Sequence, residues 1–362
     1  MALHVFSGTK AQYIKLAPLL RLMDHRGIPY RLIDSGQHAG MAGDLRADLG
    51  VREPDVRLGG RRDVATIVHG IAWTLRLLGL WLRPSRLRAR VFGDDGGVCV
   101  VHGDTVSTWL AAVLARRAGL RVAHVEAGLR SRHLFHPFPE ELVRILVMRR
   151  ADLLFAPDEV AVANLRAMRL RGRIVATRAN TVVDALRDAL GDDLPEVASG
   201  PVVLSLHRLE NLHRPARLRA FVALATRIGR GARVRFVLHP PTRLLLERHG
   251  LVAGLLAAGI EVSDLVPHRE FSRMVAAAPF VLTDGGSIQE EAAALGVPCL
   301  LWRARTERPD GLGANVVVSG YDPARISAFL ADPGAYRRDE VRLEARPSDT
   351  ILAELLASDS RQ

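Results

Sequence analysis

Apolar runs of strand length recur along this chain with helical patterns between them, and that alternation restricts the fold more than any other feature. The runs are LHVFS (3–7), YRLIDS (30–35), VCVVHG (98–103), RVAHVE (121–126) and LLFAP (153–157). After a polar gap come VVLSLH (202–207), VRFVLH (234–239), FVLTDG (280–285) and PCLLW (298–302). Strands that are apolar on both sides of the pleat belong to parallel sheets with helices on both faces. The intervening segments fit this. IKLAPLLRLMDHRG places Ile14, Leu16, Ala17, Leu19, Leu20 and Met23 at helical spacing, and TWLAAVLARRAG ends in a glycine, as helices often do. The expected fold class is α/β, with two Rossmann-like, doubly wound parallel-sheet domains facing a cleft. The segment DDLPEVASGPV, Asp192 to Val202, reads as the end of the linker between them. In such sheets ligands bind beyond the C-terminal ends of the strands, so the residues just after each apolar run carry the functional information.

The length of 362 residues suits two domains. A net charge of +11 points to an acidic partner such as a phosphate ester. The arginines are scattered, aromatics are sparse, and no zinc spacing or helix-turn-helix pattern is seen, so nucleic acid is not the expected partner. No stretch reaches the roughly 18 apolar residues of a membrane span, and stable membrane insertion is not expected. The first residues, MALHVFSGTK, read as a strand entering a loop and lack the pattern of a signal peptide. Cys99 and Cys299 each lie in an apolar run, as core thiols in a reducing cytoplasm would.

The strand ends carry a consistent chemistry. GTKAQYIKLAP, after the first run, holds the chain's only two lysines, Lys10 and Lys15, among 50 basic residues otherwise made up of arginine. A strand, a glycine turn and a helix start can face an anion, and lysine supplies a compact, mobile cation there. VVHGDTVST places His102, Asp104 and Thr105 before a helix, with Asp104 either a helix cap or an acid–base group. Glu126 ends a very apolar strand, and Glu140 and Glu141 follow a long loop containing His133 and His136. That loop offers no further ligands, and no metal site is expected. His207, Arg208 and Glu210 follow the first strand of the second series, and His239 follows the next. TDGGSIQEE then sets Asp284, Gly285, Gly286 and Ser287 ahead of a helix bearing Glu290 and Glu291, where small residues let backbone N–H groups approach phosphate. Arg308, in RTERPDG, is a candidate anion clamp.

In this order the motifs resemble the UDP-N-acetylglucosamine 2-epimerase family, which has the two-domain GT-B fold. GTKAQYIKLAP is similar to the family's GTRPExIKxAP. SGQH (35–38), HGDT, HVEAGLR, PFPEE, NTVVDAL (180–186), HRLEN, TDGGSIQEE and TERP follow in family order, from Gly8 to about Asn315. The resemblance implies domains at 1–180 and 181–345, the latter binding UDP, and a helix at 346–362 that returns to the first domain. It implies inversion at C2 of UDP-N-acetylglucosamine to give UDP-N-acetylmannosamine. The route is elimination of UDP to a 2-acetamidoglucal and re-addition on the other face, without metal or nicotinamide cofactor. It implies Asp104, Glu126, Glu140 and His207 as the catalytic set. Around the substrate it implies Lys10, Lys15, Arg144, His239, Gly285, Gly286, Ser287 and Arg308, with Glu291 on the ribose hydroxyls. A homodimer in the cytoplasm is the expected form.

The chain departs from the family pattern at several points. Lys10 stands for arginine, Ala11-Gln12 for Pro-Glu, GGS for SGG, Leu209 for a cation, and Val143 for a polar residue. Ala39 and Gly40 follow Gln37-His38 where polar residues often help to bind a second, activating substrate molecule, so that site is expected to be absent or altered. Two other outcomes share the cleft. One is hydrolysis to free N-acetylmannosamine and UDP. The other is glycosyl transfer, with IAWTLRLLGLWLRPSRLRAR as a basic, apolar acceptor patch. A non-catalytic nucleotide-sugar sensor is disfavoured by the full set of carboxylates.

Overall fold

The computed structural model describes residues 2–36, 45–59, 75, 79, 81–93, 96–132, 139–339 and 344–358. Gln37, His38, Ala39, Gly40, His133 and His136 lie outside these, as do residues 71–74, 76–78 and 80 of the proposed acceptor patch. The chain divides into two compact units, 1–185 with 345–362, and 186–344. The division falls within the helix Val182–Leu190.

The first unit holds a seven-stranded sheet built from β1 (Ala2–Ser7), β2 (Tyr30–Asp34), β3 (Val56–Arg57), β4 (Gly97–His102), β5 (Arg121–Val125), β6 (Leu153–Ala156) and β7 (Arg173–Ala176). Their order is β3-β2-β1-β4-β5-β6-β7, every pair parallel. Alternate residues of one strand feed opposite cores, as the period of two requires. In β4, Val98 and Val100 join the cluster around Leu16, Leu19 and Leu20, while Cys99 and Val101 join the one around Ala111, Ala115 and Met148. Burial pushes the thiols of Cys99 and Cys299 up to about 12, which makes both inert packing residues.

The helix Lys10–His25 follows β1. Thr9 caps it in a reciprocal box with Gln12. Gln12 also explains a departure from the family pattern. Its Oε1 accepts from the N–H groups of Gly8 (2.7 Å) and Thr9 (3.1 Å). Its Nε2 donates to the carbonyl of His102 and to Thr108 Oγ1, both at 2.7 Å. An ionised glutamate has no proton for that carbonyl, whereas the amide ties the turn after β1 to the end of β4.

The C-terminal helix Pro347–Ala357 lies in the first unit. Ile351, Leu352 and Leu355 are buried in the cluster that holds Leu16 and Leu19. Arg26–Asp349 at 2.5 Å and Ser348 N–H donating to Asp184 at 2.8 Å add polar ties.

The second unit repeats the plan with β8 (Val202–Leu206), β9 (Val234–Leu238), β10 (Ile260–Ser263), β11 (Val281–Thr283), β12 (Cys299–Leu301) and β13 (Val316–Val318). Their order is β10-β9-β8-β11-β12-β13, again all parallel. Strand order reverses between β1 and β4 in one unit and between β8 and β11 in the other. A crevice for ligands forms at the carboxyl end of such a switch point.

Candidate functional site

In the first unit two carboxylate networks lie beyond the ends of β4 and β5, one around Glu126 and one around Asp104 and Glu141. Glu126, just beyond β5, has φ +67°, a left-handed conformation that costs a branched or long side chain free energy. Its carboxylate is buried and forms an ion pair with Lys15, whose side chain is only 3% exposed. Asn180 Nδ2 donates to the same oxygen at 2.5 Å, and His102 Nε2 lies 3.7 Å from it. A cation, an amide and the backbone thus fix Glu126 in one pose. Lys15 therefore sits against a carboxylate, while Lys10 occupies the first helical position and is part-exposed.

Asp104 follows β4. Thr105 caps the helix Val106–Arg117, accepting from Thr108 N–H at 3.2 Å, so the capping alternative for Asp104 is not what forms. Asp104 instead pairs with Arg144, which is almost fully buried and also donates to Glu141 at 2.9 Å. Glu141 completes the network, accepting from Arg130 Nε (2.5 Å) and from the N–H of Ser131 (2.9 Å). Burial works to raise the Glu141 carboxyl, but these donors outweigh it and hold the group below the ordinary carboxylate range. Glu140 begins the helix Glu140–Met148, and its Oε2 is buried with no hydrogen-bond partner among the described residues. Among Asp104, Glu126 and Glu140, it is the one with an oxygen so placed.

His124, on β5, is fully buried, and its Nε2 lies 2.8 Å from the carbonyl of Gly103. A carbonyl only accepts, so Nε2 carries a proton, while the buried Nδ1 has no hydrogen-bond partner among the described residues, as suits a neutral ring. Burial pushes its pKa down to about 4. Below pH ~6.5 the unfolded chain therefore binds a proton that the folded chain refuses, and stability falls with pH. We expect this to remove about 3 kcal/mol between pH ~6.5 and ~4. Urea unfolding at pH 7 and pH 4 measures it. In His124→Gln the fall should be correspondingly shallower, and an equally steep fall would contradict the assignment.

In the second unit Asp284, beyond β11, is fully buried. It accepts from the backbone N–H groups of His207 and Arg208, each at 3.0 Å, and from Asn211 Nδ2 at 2.9 Å. It thereby pins the turn after β8. His207 lies beside His239, ring centroids 4.6 Å apart. Burial lowers the His207 pKa, and the Asp284 carboxylate opposes that while Arg208 and Arg303 reinforce it. Two glycines let these groups close in. A Cβ on Gly285 would lie 2.8 Å from His207 Cε1, and one on Gly286 would lie 2.6 Å from Arg308 Nε. The helix Gly286–Ala294 starts without a side-chain cap, with Ser287 part-exposed in its first turn. Arg308 is ion-paired with Glu290. Glu291 is buried, 3.5 Å from His268 Nε2.

The sequence reading missed several of these residues. Asn180, Asn211, Arg130 and His268 carry no local signal. Each matters through a partner that its own motif does not name, although Arg130, Asn180 and Asn211 stand within quoted motifs and His268 alone does not. Among the described residues, no group of three or more His, Cys, Asp or Glu side chains is arranged to hold a metal ion, and no helix is long and apolar enough to cross a membrane.

Two parallel-sheet Rossmann-like units, each with polar side chains at its switch point, define an α/β protein of the GT-B class. The UDP-N-acetylglucosamine 2-epimerase family model matches residues 21–333. The chain is 32% identical to the UDP-N-acetylglucosamine 2-epimerase of Bacillus subtilis over 349 residues, covering 91% of this chain and 87% of the relative. It is 30% identical to the UDP-2,3-diacetamido-2,3-dideoxy-D-glucuronate 2-epimerase of Pseudomonas aeruginosa over 365 residues, covering 97% and 98%. Among solved structures it is similar to the Methanocaldococcus jannaschii UDP-GlcNAc 2-epimerase in complex with UDP-GlcNAc and UDP. There the TM-score is 0.81 at 26% identity, with 99% of this chain and 100% of the other covered. The chain belongs to the UDP-N-acetylglucosamine 2-epimerase family.

Proposed function

We propose that the protein inverts C2 of UDP-N-acetylglucosamine, giving UDP-N-acetylmannosamine without net hydrolysis. One observation carries this reading: in the first unit Asp104 and Glu126, each beyond a strand end, are held by ion pairs, while Glu140, at a helix start, keeps a buried oxygen with no hydrogen-bond partner among the described residues. C2 of the hexosamine is not beside a carbonyl, so its proton leaves only if a neighbouring bond breaks. A carboxylate takes the C2 proton, the C1–O bond to UDP breaks, and its electron pair departs with UDP. The C1=C2 double bond of the 2-acetamidoglucal remains. Adding UDP back at C1, with a proton delivered to the opposite face of C2, completes the inversion.

Glu140 is assigned the proton transfer at C2, because Asp104 and Glu126 are each ion-paired while Glu140 has an oxygen without a hydrogen-bond partner among the described residues. Asp104 and Glu126 shape the hexosamine site. Lys15 supports Glu126, a narrower role than direct contact with phosphate. Arg144 supports Asp104. Departing UDP is received by Lys10, Arg308, His207, His239 and the N–H groups of Gly286 and Ser287 at a helix N-terminus, with Gly285, whose own N–H donates to Thr283 Oγ1, leaving room for the anion. Glu291 takes the ribose hydroxyls. The expected form is a cytoplasmic homodimer needing no cofactor.

Incubation of the purified protein with UDP-N-acetylglucosamine alone tests the reading by anion-exchange chromatography. A mixture of the two UDP-sugars is expected. Stoichiometric free sugar and UDP would indicate the hydrolytic branch, and an unchanged substrate a transferase or a sensor. The uronate relative has the same reaction centre and aligns over almost its whole length, so UDP-2,3-diacetamido-2,3-dideoxy-D-glucuronate belongs in the same assay.

Gly286→Ala should displace Arg308, at a cost of about 1 kcal/mol or somewhat more, and weaken UDP binding about tenfold by calorimetry. Unchanged affinity would remove Gly286 and Arg308 from the diphosphate site. With Ala39 and Gly40 in place of polar residues, initial rate against substrate should be hyperbolic. A sigmoidal curve would show a working activator site.

A further inference from the structure

We propose that Asp284 is a positioning residue for His207, holding its imidazole as the Nδ1–H tautomer so that Nε2 serves as the proton-accepting atom. This deepens the reading of His207 as part of the catalytic set and rests on the proposed elimination: with Glu140 taking the C2 proton on one face, His207 gives a proton to the opposite face on re-addition and takes one from that face in the reverse direction. Asp284 is fully buried, and two of its three described hydrogen bonds go to the backbone of one turn: Oδ1 accepts from His207 N–H and Oδ2 from Arg208 N–H, each at 3.0 Å. Asn211 Nδ2 donates to Oδ2 at 2.9 Å. The turn cannot slide without breaking several bonds together. Oδ1 then lies 3.5 Å from His207 Nδ1, a charge contact and not a hydrogen bond, and Nδ1 is buried with no hydrogen-bond partner among the described residues. An ionised carboxylate only accepts, so attraction between these atoms requires the imidazole proton on Nδ1.

The surroundings keep the ring in that pose. Gly285 follows Asp284 directly, and a Cβ there would lie 2.8 Å from His207 Cε1, so any larger residue would displace the ring. His239, from the end of β9, covers the ring at 4.6 Å between centroids. The charged groups around His207 are Asp284 from the β11 end, Arg208 on its own turn, and Arg303 beyond β12. Both arginines have acidic partners: Glu307 lies 3.5 Å from Arg208 and 3.0 Å from Arg303, and Glu210 lies 3.7 Å from Arg303. Asp284 is the group in this set that favours the protonated imidazole, opposing burial and the two guanidinium groups. A carboxylate that both orients an imidazole and supports its positive form is what a histidine needs to take and return a proton.

Two measurements test this. Nitrogen-15 NMR of the wild-type protein labelled at histidine, without substrate, reads the tautomer at pH 7.5. His207→Gln identifies the signal. The expected result is Nδ1 protonated and Nε2 unprotonated, and the reverse pattern overturns the proposal. This arm needs no turnover, so it stands or falls separately from the epimerase reading. The second arm is the pH profile of kcat. In Asp284→Asn the acid limb should move down by about one unit or more, because an opposite charge has been removed from beside the imidazole. UDP inhibition should change less than threefold. In a His207→Gln background, Asp284→Asn should lower kcat less than twofold further. An unmoved acid limb, or full additivity with His207→Gln, would show Asp284 to be a structural tie alone. Should Asp284→Asn fail to fold, the tautomer measurement decides.

Discussion

Lys15→Met should destabilise the protein by about 3–5 kcal/mol, the usual cost of leaving one member of a buried ion pair without its partner. Lys15 and Glu126 are both almost fully buried, and the pair is joined across 111 residues of sequence. Asn180 gives Glu126 one further hydrogen bond, but no amide replaces the lost positive charge. The double substitution Lys15→Met/Glu126→Gln should recover about 1–3 kcal/mol of the loss, because a neutral amide needs no counter-charge. Urea denaturation followed by circular dichroism on the four proteins of this cycle gives the coupling. A Lys15→Met cost below about 1 kcal/mol would mean that the pair is open to solvent and that Glu126 is held by other contacts.

Glu140→Gln carries the opposite signature, a large effect on turnover with almost none on folding. General acid–base catalysis contributes roughly 10²- to 10⁴-fold, and kcat should fall by that factor. Glu140 Oε2 makes no hydrogen bond among the described residues, so an amide there breaks none of those contacts, and the melting temperature should move little. UDP affinity, measured by calorimetry, should stay within about threefold. A kcat within tenfold of wild type would transfer the C2 proton to Asp104 or Glu126, and a large fall in stability would make Glu140 a structural residue.

The central strands were legible in the sequence and the edge strands were not, for one physical reason. β1, β2, β4, β5, β6, β8, β9, β11 and β12 have sheet neighbours on both sides, and their apolar runs stand out. The unread strands β3, β7, β10 and β13 are the four sheet edges. β3 is only Val56–Arg57, β7 begins with an exposed arginine, β10 alternates polar and apolar in IEVS, and β13 spans three residues. An edge strand has less surface to bury, so it needs no long apolar run.

The site divides in the same way. Strand-end carboxylates, the lysine pair and the glycine turn are local patterns and could be read. Which charge meets which could not, since Asp104 finds Arg144 40 residues away and His207 finds Asp284 77 residues away. The double glycine illustrates the gap. In the sequence it signals room for phosphate, and in the fold His207 crowds Gly285 and Arg308 crowds Gly286. Gln12 shows the reverse: a departure from the family pattern with no evident purpose in the sequence supplies two side-chain N–H donors that an ionised glutamate lacks.

The most direct test of the whole account is proton NMR of UDP-N-acetylglucosamine incubated with the protein in heavy water. Elimination and re-addition through a proton exchanged with solvent predict deuterium at C2 in both epimers as the manno signal grows, with UDP remaining substoichiometric. Epimerisation with the original hydrogen fully retained at C2, or no manno signal at all, would contradict it.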